Sequence, residues 1–371
     1  MDREITLSAP DITDHEINAV TAVMRSGHLS LGPKVPEFEK TFTDKVGVKH
    51  AIACNSGTSA LHVIWRAMGI GPGDEVITTP FSFIASSNSI LFVDAKCVFV
   101  DIDPNTWQID PKKIEAAITP RTKAIMPVDV FGSCPDFDAI NAIAKKRNLR
   151  VLEDCCEALG STYKGRQMGS LGDAGAFGFY PNKQITTGEG GMIVTNDDRI
   201  AFMCRSLRNQ GRDPDAGWLA HARLGFNYRL PDINCAVGIE QMKRLDEIIA
   251  KRKRVAGWYH AQLEGDKRYA PQALLPGVEL HPFVMVVKLS DEYTREKRDA
   301  ILNGLKARKI GCNNYFTPLH LQPFYVRDHG YREGQFPICE SVSARTIALP
   351  FHNHLTEADV AHVVKVFKTL L

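Results

Sequence analysis

The most restrictive feature of the sequence is an alternation, from residue 50 onward, of short apolar runs with longer amphipathic ones. Short runs rich in Val, Ile and Phe are typical of buried strands, and the segments between them have helical spacing. Strands that alternate with helices form a parallel sheet covered by helices. Strands are predicted at residues 50–54, 75–79, 97–102, 123–128, 150–152, 174–179 and 191–195, and helices at 59–68, 111–118 and 137–147. We therefore predict an α/β fold with a mainly parallel sheet.

A second pattern follows the long helical stretch that is predicted between residues 232 and 259. Its clearest strand is predicted at residues 283–289, and Thr356 with Asp359 resembles a capping box before a terminal helix. A chain of 371 residues has room for two domains. We predict a large α/β domain over residues 1–240 and a smaller α+β domain over residues 241–371.

Composition and charge narrow the functional classes. The formal net charge is only +2, which gives no indication of a nucleic-acid partner. The basic run at residues 251–254 follows helical spacing and is interpreted as a solvated helix face. The nine cysteines include no C-x-x-C pair, so we predict neither disulfides nor a metal site. Without an apolar segment long enough for a signal or a membrane span, the predicted location is the cytoplasm, with no membrane partner.

A carboxylate and an amine are predicted to share one crevice. Asp154 follows the apolar residues Val151 and Leu152, so it should lie at the carboxyl end of a central strand, where open α/β sheets bind ligands. A cap or turn is the alternative. Lys183 lies between a proline and a glycine-rich stretch, on an irregular connection from which its amine could reach the crevice. This pairing fits a Schiff-base lysine and an acid at a cofactor's ring nitrogen, although a structural salt bridge is also possible.

The segment NSGTSAL at residues 55–61 opens an amphipathic helix directly after a strand. The free amides and the positive end of the helix dipole suit an anion, and glycine allows close approach. An ordinary helix cap is the alternative, because Ser and Thr are common there. The segment lacks the lysine of a P-loop, and no G-x-G-x-x-G follows a first strand, which argues against a nicotinamide dinucleotide.

Several segments, in a fixed order, resemble one known family. They are SLGP (30–33) with FE (38–39), NSGTSAL (55–61), GDEVI (73–77), FVDID (99–103), LED (152–154), the stretch 183–191 and GFNYR (225–229). With these segments the chain resembles the DegT/DnrJ/EryC1/StrS aminotransferases, which build amino sugars, over nearly its whole length. The resemblance implies an aspartate-aminotransferase-like fold (type I), pyridoxal 5'-phosphate as the cofactor, and a homodimer.

The resemblance also implies roles for individual residues. Lys183 would form the Schiff base, and Asp154 would keep the pyridine nitrogen protonated. Further cofactor contacts would come from Gly57, Thr58, Phe83 and Glu157, with Asn227 reaching the phosphate of the neighbouring subunit; substrate contacts would come from Ser30, Arg229, Tyr315 and His320. A place in the core is the alternative for Phe83, and loop packing is the alternative for Tyr315 and His320.

The chain departs from many relatives at three positions. Gly178 stands where many have a serine that contacts the phosphate, and Asp129 stands where many have a histidine. Glu157 replaces the common glutamine or histidine and is similar to perosamine synthases, which aminate a GDP-linked 4-keto-6-deoxy sugar. The third departure favours chemistry at C4 of the sugar.

Together these features predict an aminotransferase that moves an amino group from glutamate to a nucleotide-linked keto-sugar, a 4-keto-6-deoxy sugar, in amino-sugar and polysaccharide biosynthesis. A 3-keto-sugar aminotransferase is one alternative. A non-catalytic regulatory protein that binds pyridoxal phosphate is another. A sugar dehydratase is disfavoured, because those relatives carry histidine at the position of Lys183.

Overall fold

A computed structural model describes residues 4–215, 217 and 219–371. The first nine strands are β1 (His50–Cys54), β2 (Glu75–Thr78), β3 (Lys96–Phe99), β4 (Thr122–Met126), β5 (Arg150–Asp154), β6 (Thr162–Tyr163), β7 (Arg166–Gln167), β8 (Ala174–Gly178) and β9 (Gly191–Thr195). Seven of them form one sheet in the order β1-β9-β8-β5-β4-β2-β3. Within this sheet β9 runs in the direction opposite to that of the other six strands. The predicted α/β fold with a mainly parallel sheet is confirmed.

Helices cover both faces of this sheet. They are α1 (Asp14–Ser26), α2 (Lys34–Val46), α3 (Gly57–Met68), α4 (Ile84–Leu91), α5 (Pro111–Ala117), α6 (Phe137–Arg147), α7 (Asp198–Arg208), α8 (Asp232–Lys243) and α9 (Leu245–Leu263). Because successive strand residues point to opposite faces, Ala51 and Ala53 of β1 pack into one core while Ile52 and Cys54 pack into the other. The sheet is therefore buried on both faces, as a parallel sheet requires.

The C-terminal part has its own small sheet. Its elements are β10 (Tyr269–Pro271), β11 (Val278–Glu279), β12 (Met285–Leu289), α10 (Arg295–Lys306), α11 (Pro323–His329), α12 (Pro337–Arg345), β13 (Thr346–Leu349) and α13 (Glu357–Leu370). Strands β10, β12 and β13 pair antiparallel in that order, while β11 pairs with β6. Thr356 and Asp359 form the predicted capping box of α13. No helix in the described parts of the chain has the length and apolar composition needed to cross a membrane.

Helix α9 belongs to two cores. Its first turns contribute Ile248 and Ile249 to the core of the large sheet, and its later turns contribute Val255 and Tyr259 to a core built on the small sheet. Ile5, from the other end of the chain, also packs into this second core. The predicted domain division between residues 240 and 241 stays a prediction.

Two expectations about this region need correction. The single helix predicted over residues 232–259 is interrupted at Arg244, which ends α8 and precedes α9. The basic run at 251–254 is also not a uniformly solvated face, because Arg252 is only 4% exposed. Lys253 and Arg254 are exposed as predicted. Helical spacing explains the difference, since adjacent residues point in directions about 100° apart.

Candidate active site

A cavity of about 650 Å³ opens at the carboxyl ends of the parallel strands. This is the edge at which open α/β sheets bind ligands. The residues that follow β1, β2, β4, β5 and β8 all contribute to its wall, together with Phe283 and residues 313–316 from the C-terminal part. The lining includes Ser56, Gly57, Thr58, Ser82, Phe83, Ser86, Val128, Asp154, Cys156, Glu157, Gly178, Tyr180, Asn182, Lys183, Phe283, Asn313, Asn314 and Tyr315.

Asp154 is the last residue of β5 and lies in the wall of this cavity, 4% exposed. Its Oδ2 accepts a hydrogen bond from Ser86 Oγ at 2.7 Å, and its Oδ1 accepts one from the Cys156 amide at 3.3 Å. Ser86 Oγ lies 2.8 Å from Ser82 Oγ. The carboxylate is therefore held in a fixed orientation, with free lone pairs still available to a ligand.

Lys183 lies on the irregular connection between β8 and β9, and its side chain lines the same cavity. Its Nζ lies 3.2 Å from Glu157 Oε1 and 4.3 Å from the centroid of the Phe283 ring. The other oxygen of Glu157 accepts a hydrogen bond from the Phe131 amide at 2.9 Å. The structure thus brings Lys183, Glu157 and Asp154 into one cavity.

The start of α3 supplies a place for an anion. Ser56 caps the helix, with its Oγ accepting from the Ser59 amide at 3.0 Å. The next two residues, Gly57 and Thr58, line the cavity, and the first amides of a helix have no partner inside it. A Cβ at Gly57 would lie 3.0 Å from Cys156 Sγ and 3.2 Å from Gly178 Cα. The helix cap and the anion site are therefore compatible, because the Ser56 side chain forms the cap while the amides of Gly57 and Thr58 remain available to an anion.

Two buried acids lie next to this site. Asp129 and Glu153 are both fully buried. Burial and the neighbouring Glu153 carboxylate hold the pKa of Asp129 well above its usual range. Burial also raises the pKa of Glu153 to about 7, although the amides of Gly169 and Leu171 donate to its carboxylate. No donor among the described residues reaches either oxygen of Asp129, which suits a protonated carboxyl group that donates to Glu153.

The other predicted site residues fall into two groups. Phe83 and Tyr315 line the cavity, and Phe83 is 61% exposed, so its alternative as a core residue is excluded. Ser30 and Asn227 are exposed and lie outside the lining of the chain's own cavity. Arg229 is also outside it, and its Nη1 donates to Asn209 Oδ1 at 3.0 Å.

His320 lies outside the lining of the cavity, so the structure does not bring it together with the other predicted site residues. Its side chain is fully buried, its Nε2 lies 2.9 Å from Glu340 Oε1, and its ring packs on Phe336. The alternative of loop packing is the one observed. A single sequence shows that a histidine is present but not that its ring is enclosed.

Sequence reasoning missed several residues of the cavity. Ser82 and Ser86 gave no distinct signal, because the segment contains four serines (82, 86, 87 and 89) and Ser82 precedes α4. Phe283, Asn313 and Asn314 had none, since they reach the site from distant parts of the chain.

Comparison with known proteins decides the family. The sequence model described as the DegT/DnrJ/EryC1/StrS aminotransferase family matches residues 10–368. The chain belongs to this family. It is 44% identical, over 370 residues, to GDP-perosamine synthase from Caulobacter vibrioides, covering 99% of this chain and 98% of the relative. It is 37% identical to UDP-2-acetamido-2-deoxy-3-oxo-D-glucuronate aminotransferase from Pseudomonas aeruginosa, with 92% of each chain covered.

Solved structures in this aminotransferase family share the fold. The PMP form of Spr1654 from Streptococcus pneumoniae superposes with a TM-score of 0.95 at 29% identity, covering 99% of this chain and 98% of that one. A PLP form of the same protein is also similar. These findings confirm the predicted family, the type I fold, the assignment as an aminotransferase and the pyridoxal phosphate cofactor.

The residues of the cavity fit that cofactor. Glycine at position 57 leaves the start of α3 open to a phosphate, Asp154 presents a carboxylate, and Lys183 presents an amine. Phe83 adds an exposed aromatic ring to the wall. The cavity therefore has a group for each part of pyridoxal phosphate.

Proposed function

We propose that this nucleotide-sugar aminotransferase takes its amino group from glutamate and delivers it to the 4-keto group of a nucleotide-linked 6-deoxy sugar. The observation that carries the proposal is the single cavity that Lys183, Asp154 and the start of α3 share. The similarity to GDP-perosamine synthase and the presence of Glu157 support a 4-keto substrate. The similarity to a 3-oxo-sugar aminotransferase supports the second candidate, a 3-keto substrate.

The proposed roles follow from what each group can donate or accept. Pyridoxal phosphate, when bound, supplies an aldehyde that combines with amines and a ring that accepts an electron pair. Asp154 would accept a hydrogen bond from the protonated ring nitrogen, because Ser86 and the Cys156 amide hold its carboxylate in place. The amides of Gly57 and Thr58 would bind the phosphate, and Phe83 would pack on the ring.

Lys183 would act as both the covalent anchor and the proton carrier. In the first half of the reaction its Nζ would take the proton from the α-carbon of the amino donor. In the second half it would deliver a proton to the sugar carbon that receives nitrogen. Glu157 Oε1, at 3.2 Å from Nζ, would orient the amine while it is protonated.

A homodimer with shared sites is part of the same proposal. Several large apolar side chains lie exposed, among them Leu31, Phe83 and Leu224 at 56%, 61% and 78% exposure, and Phe83 also lines the cavity. A second copy of the chain would cover such side chains. Asn227, which is exposed and outside its own cavity, would then reach the cofactor phosphate of the partner subunit.

The predicted location in the cytoplasm also belongs to this proposal. All nine cysteines are free, and burial raises the pKa of thiols such as Cys155 and Cys156 well above the usual range. Free, unreactive thiols are typical of proteins in a reducing compartment.

The catalytic assignment is tested by replacing Lys183 with Ala. We expect turnover to fall by about three orders of magnitude or more, because both proton transfers lose their carrier. Lys164→Ala is the matched control, since Lys164 is an exposed lysine that pairs with Asp138. Amino transfer is measured as formation of 2-oxoglutarate from glutamate, and appreciable turnover by Lys183→Ala would refute the assignment.

The substrate is tested on a panel of GDP-, UDP- and dTDP-linked sugars with either a 4-keto or a 3-keto group. We expect the highest kcat/KM with a 4-keto-6-deoxy sugar and glutamate. Higher kcat/KM with the 3-keto sugars would establish the second candidate. If glutamate leaves the visible absorbance of the bound cofactor unchanged, the non-catalytic regulatory alternative is favoured.

A further inference from the structure

Arg252 lies midway along α9 with its guanidinium between the two cores. Ile248 and Ile249 precede it in the core of the large sheet, and Val255 follows it in the core of the small sheet. The side chain is 4% exposed, and its guanidinium lies over the Phe351 ring at 5.3 Å. Arg252 is thus a buried cation at the boundary between the two parts of the fold.

Backbone carbonyl oxygens are the hydrogen-bond partners of this guanidinium. Nε donates to Pro282 O at 2.9 Å, and Nη2 donates to Phe283 O at 2.8 Å and to Asn182 O at 3.4 Å. No carboxylate in the described part of the chain lies within ion-pair distance of Arg252. Burial lowers the pKa of Arg252 to about 10, so the group remains charged at neutral pH.

Stability alone does not account for this arginine. Removing a cation from water costs free energy, and a contacting carboxylate is the usual compensation. An apolar side chain of similar volume would avoid that cost but would leave the three carbonyl oxygens without this donor. The position of the three carbonyl groups suggests another reason for an arginine at position 252.

The three carbonyl groups belong to the two segments that surround the amine of Lys183. Asn182 O is part of the peptide group whose N–H, that of Lys183, donates to Tyr180 O at 2.9 Å, so this peptide group is bonded at both ends. Phe283 supplies the ring that lies 4.3 Å from Lys183 Nζ. One guanidinium therefore contacts both the backbone that bears Lys183 and the residue against which its amine packs.

The groups on the other side of the cavity make no such contact. Gly57, Thr58 and Asp154, which would hold the phosphate and the ring nitrogen, have no hydrogen bond to Arg252. A change at Arg252 should therefore affect the covalent attachment of the cofactor more than its non-covalent binding.

We propose that Arg252 is a positioning residue that holds the Lys183 amine at the place where it bonds the aldehyde of pyridoxal phosphate. This inference rests on the proposed role of Lys183. The planar guanidinium bonds the three carbonyl groups from two nitrogen atoms held in a fixed plane, whereas a lysine has all its donors on one freely rotating nitrogen.

The test compares two forms of the cofactor on the full-length protein. Pyridoxal phosphate can bond to Lys183, whereas pyridoxamine phosphate has no aldehyde and cannot. Arg252→Met keeps volume but removes all donors, and Arg252→Lys keeps the charge with fewer donor directions. Arg254→Met is the matched control, because Arg254 is exposed on the same helix. Each protein is loaded with one form, and the rate of cofactor release into a trapping solution is measured.

We expect pyridoxal phosphate to leave Arg252→Met about tenfold faster than the unchanged protein, because its covalent bond forms less readily. Pyridoxamine phosphate should leave at a rate within about twofold of the original. Arg252→Lys should release pyridoxal phosphate at a rate between those of the unchanged protein and Arg252→Met. Arg254→Met should release both forms of the cofactor at the original rates.

The outcomes separate this inference from the assignment of Lys183. Equal acceleration of both forms in the two Arg252 variants would show a merely structural arginine and overturn the inference, as would unchanged release of both. Lys183→Ala provides the reference: it should release pyridoxal phosphate much faster than the original protein. If it does not, the role of Lys183 itself fails.

Discussion

Gly57 and Gly178 lie side by side at the candidate phosphate site, but the space around them differs. A Cβ at Gly57 would meet Cys156 Sγ at 3.0 Å and Gly178 Cα at 3.2 Å. A Cβ at Gly178 would meet nothing closer than Cys156 Sγ at 3.4 Å, which is ordinary contact. The departure at position 178 therefore leaves room for the serine that many relatives carry.

We expect Gly178→Ser to bind pyridoxal phosphate more tightly, by about 1 kcal/mol, because its hydroxyl adds one hydrogen bond to the phosphate. Gly57→Ala should bind it more weakly, since the new methyl group pushes against Cys156 and narrows the start of α3. Dissociation constants from fluorescence titration of the cofactor-free protein measure both. Weaker binding by Gly178→Ser would contradict the assignment of this corner to the phosphate.

At the residue level, the sequence predicts a site residue best where a reactive side chain comes directly after a strand or lies on a connection marked by proline and glycine. Asp154 could be predicted because an apolar run leads straight into it, and Lys183 because proline and glycines surround it. His320 and Arg252 could not be judged, because burial is decided by elements far away in the chain. Phe283 reaches Lys183 by tertiary packing alone, for which no local pattern exists.

Among the elements, the junction of α8 and α9 is tied to the start of the chain by buried charges. Arg244 donates to Asp11 Oδ1 and to Glu16 Oε1, both at 2.8 Å. Burial raises the pKa of each acid, but hydrogen bonds outweigh it: those from Arg244, Asn353 and Lys251 lower the pKa of Asp11 to about 2, and those from Thr13, Gln241 and Arg244 lower that of Glu16 to about 2. The ordinary values are 3.8 and 4.5.

Because the folded-state values are depressed, these acids stabilise the fold fully above about pH 5 and lose that contribution as the pH falls toward 2. We expect the urea midpoint of unfolding to fall over this range. Arg244→Met should cost about 3 kcal/mol at neutral pH and should make the fall shallower. Lys243→Met, at an exposed neighbouring pair, is the control. An unchanged pH dependence in Arg244→Met would contradict this account.

The break between α8 and α9 could not be predicted from the local sequence. Apolar spacing continues on both sides of Arg244, through Met242 and then Leu245 and Ile248, so the sequence favours one long helix. The break depends on partners that approach from residues 11 and 16. Strands β6, β7 and β11 were also missed, because two residues are too few for an alternation.

For the whole molecule, the proposed shared site predicts complementation between two impaired chains. In a mixed dimer of Lys183→Ala with Asn227→Asp, one site has both defects and the other has neither. The Asn227→Asp variant alone should have low activity, because its carboxylate repels the phosphate of the cofactor in the partner subunit. With two affinity tags the mixed dimer can be isolated, and we expect about half the activity of the original dimer.

Each parent variant, carried through the same double-tag procedure, is the control. A mixed dimer no more active than the better parent would show that Asn227 does not serve the partner's site. A monomer in sedimentation equilibrium with full activity would contradict the shared site altogether.

Helix α9 has its first turns embedded in one core and its last turns in the other, over 19 residues without a proline. A hinge between the parts of the protein built on the two cores would have to bend α9, and sharp bends in helices usually need a proline or an inserted group. We therefore expect these two parts to keep one mutual orientation throughout turnover. Nucleotide sugars would then enter and leave through an opening beside Phe83 and Tyr180 that movement of the two parts does not close. Only loop movements would control access to the cavity.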